Sequence, residues 1–183
     1  MFESLLEKIA SELDKSGIPY MVIGGQAVLL YGEPRLTRDI DITLGISVER
    51  LDEILLVAET IGLKPLVDPR TFTLKTMVLP CSARETDLRV DFIFSFSPYE
   101  RQAMERARIV WIRETGVKFA SAEDLVIHKI FAGRPRDLED AKGVLLKNTE
   151  IDHSYIRHWL SELSIATDES FLDRFEALMK DIL

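Results

Sequence analysis

The sequence predicts an α/β chain of the α+β kind: a small mixed β-sheet flanked by helices, followed by a C-terminal helical segment. Two observations carry this expectation. Up to residue 118, short apolar stretches with strand alternation are interspersed with segments of helical periodicity. From Ser121 onward only helical periodicity remains, broken at Gly133-Arg134-Pro135, near Asn148 and over residues 164–168. The expected division is therefore 1–118 as an α/β module and 119–183 as a helical segment packed on it.

Each element has a local cause. Residues 2–15 place Leu5, Leu6, Ile9 and Leu13 on one helical stripe, which Gly17 and Pro19 end. Residues 20–23 are an apolar strand running into Gly24-Gly25, and residues 26–31 read as a helix stopped by Gly32 and Pro34. Residues 39–44 alternate strictly as a strand, and 48–60 form a helix closed by Gly62. Further strands are expected over 71–79 and 87–94, a helix over 98–107, and a strand over 108–112.

Composition narrows the classes of function. The chain has 183 residues, 46% hydrophobic and 30% charged, as in an ordinary globular protein able to bury its own core. Cys81 is the single cysteine, so neither an internal disulfide nor a cysteine-rich zinc site can form. No signal-peptide pattern opens the chain and no apolar run approaches a membrane span, so a cytoplasmic protein without a membrane partner is expected. The net charge of −8 opposes non-specific binding to nucleic acid, although Arg101, Arg106, Arg108 and Arg113 lie close together in sequence.

The informative chemistry is acidic. In the strand 39–44, Ile40, Ile42 and Leu44 take one face while Asp39 and Asp41 share the other, roughly 6–7 Å apart. Such a pair repels itself, and a divalent cation relieves the repulsion. Magnesium suits it, binding one or two carboxylates and completing its shell with water and phosphate oxygens. The later strand repeats the pattern, with Leu88, Val90, Phe92 and Phe94 alternating against Asp87, Arg89, Asp91 and Ile93. If the two strands are neighbours, Asp91 approaches Asp39 and Asp41, and three carboxylates can hold two metal ions. An Asp-x-Asp pair is more often a solvated face, but aspartate is disfavoured in strands and three here interrupt strongly apolar ones. A strand, Gly24-Gly25 and a helix also present backbone N–H groups to an anion some fifteen residues before the pair.

Val22-Ile-Gly-Gly-Gln-Ala-Val, Tyr31-Gly32, Arg35 and Thr37-Arg38-Asp39-Ile40-Asp41 together resemble the signature of the DNA polymerase beta-like nucleotidyltransferase superfamily. Within it the sequence is most similar to the small AbiEii-type toxins and minimal nucleotidyltransferases, over roughly residues 20–145. The resemblance implies a nucleotidyltransferase fold, with Gly24 and Gly25 on phosphates and Asp39, Asp41 and Asp91 as catalytic metal ligands. Many members carry a serine directly after the glycines; here that place is held by Gln26, which keeps a hydrogen-bond donor.

In the helical segment, Ser121-Ala-Glu-Asp124 reads as a capping box, Gly133 as a helix C-cap and Pro135 as a first helical residue. Lys129 falls on or beside an apolar stripe and needs an anionic partner or a route to solvent. Asp137, Glu139 and Asp140 suit a helix's first turn. The pattern of Lys129 followed by Arg-x-x-Asp-Leu-x-Asp also resembles the AbiEii-type group, which implies that Lys129 and Asp137 join Gly24, Gly25, Gln26 and Arg38 at the nucleotide; Arg134 reads either as a phosphate contact or as a surface salt bridge. Trp111 and Trp159 are expected in the core, and Cys81 and His128 in structural roles.

The resemblance implies transfer of a nucleoside monophosphate from a nucleoside triphosphate, with Mg2+ as cofactor, most simply as two ions. Three readings follow: a toxin-type enzyme acting on tRNA with an antitoxin partner, an antibiotic-type enzyme with a small-molecule acceptor, or a non-catalytic nucleotide-binding module.

Overall fold

Leu5, Leu6, Ile9, Ala10 and Leu13 recur at helical spacing, and all five are buried along α1 (Phe2–Lys15). This computed structural model describes residues 2–83, 86 and 88–182. They form two compact units: 1–26 with 36–120, and 27–35 with 121–183.

In the first unit, Gly17 (φ +63°) turns the chain from α1 into the fully buried β1 (Tyr20–Ile23). Helix α2 (Gly24–Tyr31) follows without a linker, then β2 (Asp39–Leu44). A 3₁₀ turn at Val48–Arg50 leads into α3 (Leu51–Thr60), so the helix expected over 48–60 starts as a tighter coil. The remaining elements are β3 (Leu63–Pro65), α4 (Pro69–Thr76), β4 (Val78–Ala83), β5 (Arg89–Phe94), α5 (Pro98–Glu105), β6 (Arg108–Ile112) and β7 (Thr115–Phe119). Among the described residues the sheet has seven strands in the order β3-β4-β5-β2-β1-β7-β6. Pairs β1–β7 and β2–β5 are parallel and the others antiparallel, so the sheet is mixed, as expected. Its centre is driven by apolar alternation: Ile40, Ile42, Leu44, Val90 and Phe92 are all fully buried. Each such side chain contributes about 1.5–3 kcal/mol on leaving water.

Four expectations change here. The strand expected over 71–79 is mostly helix. Asp68 accepts the Thr71 N–H at 2.8 Å, Pro69 supplies a first helical residue, and Met77 (φ +57°) ends the turn in a left-handed cap. That capping outweighs the strand preference of Thr71, Thr73 and Thr76. Strand β7, which the sequence reading does not include, alternates Val117 and Phe119 inward and forms by closing a two-residue turn at Arg113-Glu114 onto β6. Trp111, expected in the core, is 69% exposed: β6 is an edge strand and the residue opposite is Gly116, which offers no side chain to pack on. Trp159 is half-buried, edge-on to the rings of Tyr155 and His158. The start of the strand expected over 87–94 involves Asp87, which lies outside the described residues; β5 itself begins at Arg89.

The second unit is helical: α6 (Ala122–Ala132), α7 (Pro135–Lys147), α8 (His153–Thr167) and α9 (Phe171–Ile182), with residues 27–35. That short stretch belongs with the helices for a physical reason. Arg35 bonds both oxygens of Asp140 at 3.0 Å, Lys147 Nζ donates to the Gly32 carbonyl at 3.1 Å, and Asn148 Nδ2 donates to the Tyr31 carbonyl at 2.8 Å. Gly133 (φ +64°) caps α6 and Pro135 opens α7, as expected. Ser121 caps α6 by accepting the Asp124 N–H, but its hydroxyl donates to the Asp124 carboxylate, which also accepts from Tyr155 Oη at 2.9 Å. The reciprocal capping box lies instead at Ser97 and Glu100, on α5.

Candidate active site

Strands β2 and β5 run parallel in a register that sets Asp41 beside Asp91 and Asp39 beside Arg89. Neighbouring strands lie about 4.8 Å apart, and alternate residues share a face. Asp39, Asp41, Arg89 and Asp91 therefore stand on one face of the sheet, opposite the buried Ile40, Ile42, Val90 and Phe92. Asp39 and Arg89 are exposed, while Asp41 and Asp91 are partly buried.

The glycine turn meets the same acids. Ile23 pairs with Asp41 across β1 and β2, so Gly24 falls directly against the aspartate. Gly24 sits at φ +62°, and a Cβ placed there would lie 2.7 Å from Asp41 Cγ. Gly25 lies as close to Thr37, whose Cβ would stand 2.9 Å from an added Cβ. Glycine is needed at the first position twice over, for backbone conformation and for the close approach. Helix α2 begins at this turn, and its first N–H groups lack partners within the helix. Gln26 is buried at 8% exposure, and Arg38 is exposed at the entry to β2. Gly24→Ala is expected to cost about 1–2 kcal/mol of stability from the left-handed backbone alone and to push the Asp41 carboxylate aside. Chemical denaturation checks the first effect, and loss of divalent-ion binding checks the second.

Part of the charge on the acids is met from within the same face. Arg89 Nε donates to Asp91 Oδ1 at 2.8 Å, and that bond, with the fields of Asp91, Asp39 and Asp41, raises the guanidinium above its ordinary value. Sequence reading missed this partner; its signal was an arginine two residues before Asp91, on the same strand face. Burial pushes the Cys81 thiol up to about 12, helped by the Asp91 charge, so Cys81 offers no nucleophile.

The hard oxygen donors of Asp39, Asp41 and Asp91 fit a magnesium-type ion in chemistry. Among the described residues, however, no group of three or more His, Cys, Asp or Glu side chains is placed to hold a metal ion. Asp91 is already engaged by Arg89.

The remaining candidates gather in the helical unit. Lys129, with only 7% of its side chain exposed, pairs with Asp137 at 2.9 Å and Asp140 at 2.8 Å. Arg134 bonds Asp137 and Arg35 bonds Asp140, completing a chain of three cations and two anions. Burial alone would raise both carboxyls. The bonds from Arg134 and Lys129 to Asp137, and from Arg35 and Lys129 to Asp140, outweigh it and hold both below the ordinary aspartate value. Lys129 thus has the anionic partner its sequence position demands, in Asp137 and also in Asp140. The expected site residues accordingly form two groups, one in each unit: Gly24, Gly25, Asp39, Asp41 and Asp91, and Lys129, Arg134 and Asp137.

A mixed sheet bearing these aspartates beside a strand, glycine turn and helix is the arrangement of a nucleotidyltransferase fold. The chain belongs to the family described as "Nucleotidyl transferase of unknown function (DUF2204)", whose model matches residues 2–175. No curated protein sequence matches it. Among solved structures it is similar to ANT(2")-Ia in complex with adenylyl-2"-tobramycin, at 18% identity and a TM-score of 0.59, covering 94% of this chain and 98% of that one. It is also similar to an antigenic nucleotidyltransferase-like protein from Paracoccidioides brasiliensis, at 16% identity and a TM-score of 0.58, over 97% and 91% of the two chains. A third is the lincosamide antibiotic adenylyltransferase LnuA in its lincomycin-bound form, at 19% identity and a TM-score of 0.53, over 77% and 94%. At these identities the likeness is one of fold. No helix among the described residues is long and apolar enough to cross a membrane.

Proposed function

We propose that this protein transfers a nucleoside monophosphate from a nucleoside triphosphate to a hydroxyl group of a small molecule, with magnesium as cofactor. The observation that carries the reading is Asp41, set in register beside Asp91, two residues from Asp39, and packed against Gly24. Asp39 and Asp41 would hold the metal, with Asp91 joining them once it leaves Arg89. Magnesium, when bound, supplies positive charge against the triphosphate oxygens, usually the largest contribution in such chemistry. The glycine turn and the first N–H groups of α2 receive phosphate oxygens. Asp91 orients the acceptor hydroxyl and takes its proton. The acceptor oxygen bonds to the α-phosphorus as the bond to pyrophosphate breaks. Gln26, Arg38, Lys129 and Asp137 are assigned to the nucleotide on the resemblance of their motifs, and Arg134 as a phosphate contact in place of its salt bridge to Asp137.

The net charge of −8 favours a small acceptor over tRNA. ANT(2")-Ia, solved with adenylyl-2"-tobramycin, and LnuA, solved with lincomycin, give the acceptor chemistry to test first. Each labelled nucleoside triphosphate, with magnesium, is incubated with a panel of polyhydroxyl compounds including an aminoglycoside and a lincosamide, and separately with total tRNA. Label on a small molecule is expected. Label on tRNA would replace the acceptor and support a toxin-type role with an antitoxin partner. Nucleotide binding without transfer to anything would favour a non-catalytic module.

A further inference from the structure

Arg89 is the one cation that β5 places on the acidic face, beside Asp39 by register and bonded to Asp91 at 2.8 Å. The guanidinium thus bonds one carboxylate and lies in the fields of Asp39 and Asp41 as well. Like charges on neighbouring strands repel one another, and without a cation the face would be held together against that repulsion. The pair is unequally buried: the Asp91 side chain is 17% exposed and the Arg89 side chain 52%. The arginine can therefore swing into solvent, whereas the aspartate stays on the sheet. An arginine–carboxylate pair with one exposed partner is weakly held, so exchange for another cation is easy.

Resting on the function proposed above, we infer that Arg89 is the resident counter-ion of this site: it neutralises Asp91 in the metal-free chain and is displaced when a divalent cation takes that carboxylate. Arg89 is then a positioning residue, acting on the metal through Asp91. It sets how readily the bare protein loads metal and keeps the acidic face intact when none is bound.

The test titrates Mn2+ alone into wild type, Arg89→Gln, Arg89→Lys and Asp41→Asn by calorimetry, with melting temperatures taken in the presence and absence of Mn2+. Arg89→Gln is expected to bind Mn2+ about three- to tenfold tighter than wild type, because it removes a competing positive charge. Arg89→Lys, which keeps the charge, stays near wild type. Arg89→Gln also melts below wild type without metal and regains the difference with it. An arginine with a merely structural role would lower melting equally in both conditions and leave the affinity unchanged. Asp41-dependent Mn2+ binding in wild type that is no tighter in Arg89→Gln overturns this inference and leaves the proposed function standing. Absence of Asp41-dependent binding in every variant overturns the proposed function, and this inference with it.

Discussion

Asp41→Asn is expected to lower nucleotidyl transfer by at least about a hundredfold while leaving the fold intact. The substitution preserves size and shape. The strand is held by Ile40 and Ile42 behind it, both fully buried, and by pairing with β1 and β5 on either side. What changes is charge at the residue packed against Gly24 and aligned with Asp91. Wild type with magnesium and its preferred nucleotide at about 100 times the dissociation constant should gain roughly 2.7 kcal/mol, seen as a rise in melting temperature. In Asp41→Asn that rise should vanish while the melting temperature without ligand stays within a few degrees. Full activity in a well-folded Asp41→Asn protein would remove the acidic face from the mechanism.

Lys129→Ala is expected to have the largest effect on stability, a loss of about 1.5–3 kcal/mol. Asp137 and Asp140, with 5% and 6% of their side chains exposed, would each lose a cation from a buried place. Asp137 keeps Arg134 and Asp140 keeps Arg35, each through two hydrogen bonds, so neither carboxylate is left wholly without a cation. Acid sensitivity follows from the same network. Both carboxyls are held below their ordinary value in the folded chain, so they bind protons more readily when it unfolds. Their contribution is therefore fully present above about pH 4, the unfolded aspartate range. It is lost as pH falls through the lowered folded values. Removing Lys129 takes away one of the two cations that hold each carboxyl down, so both rise relative to wild type and the acid unfolding midpoint should move to higher pH. Urea denaturation of both proteins at neutral pH, with acid titrations followed by helical circular dichroism, checks both effects. Equal stability at neutral pH would show that the lysine contributes nothing to the helical unit.

The acids were legible in the sequence because strand alternation is local. With Ile40, Ile42, Val90 and Phe92 needing a core, Asp39, Asp41 and Asp91 had no choice but the opposite face. Lys129's need for an anion was legible for a similar reason, since its neighbours at helical spacing are apolar. Local reading failed where two local signals competed. Over 71–79 the threonines favoured a strand, but an Asp68 cap and Pro69 began a helix first. It failed also where burial depended on a neighbour, as at Trp111, whose cross-strand partner is Gly116.

The sequence by itself determined the order of most elements, the polar face carrying the aspartates, and the glycines that let a backbone pass close to one of them. Only the tertiary structure decided that β2 and β5 are parallel neighbours with Asp41 opposite Asp91, that Arg89 bonds Asp91 on that face, and that residues 27–35 join the helical unit. Periodicity records which way a side chain faces along its own element. Which elements pair, and in what register, is settled by burial and charge between residues far apart in the chain, and no local pattern carries that information.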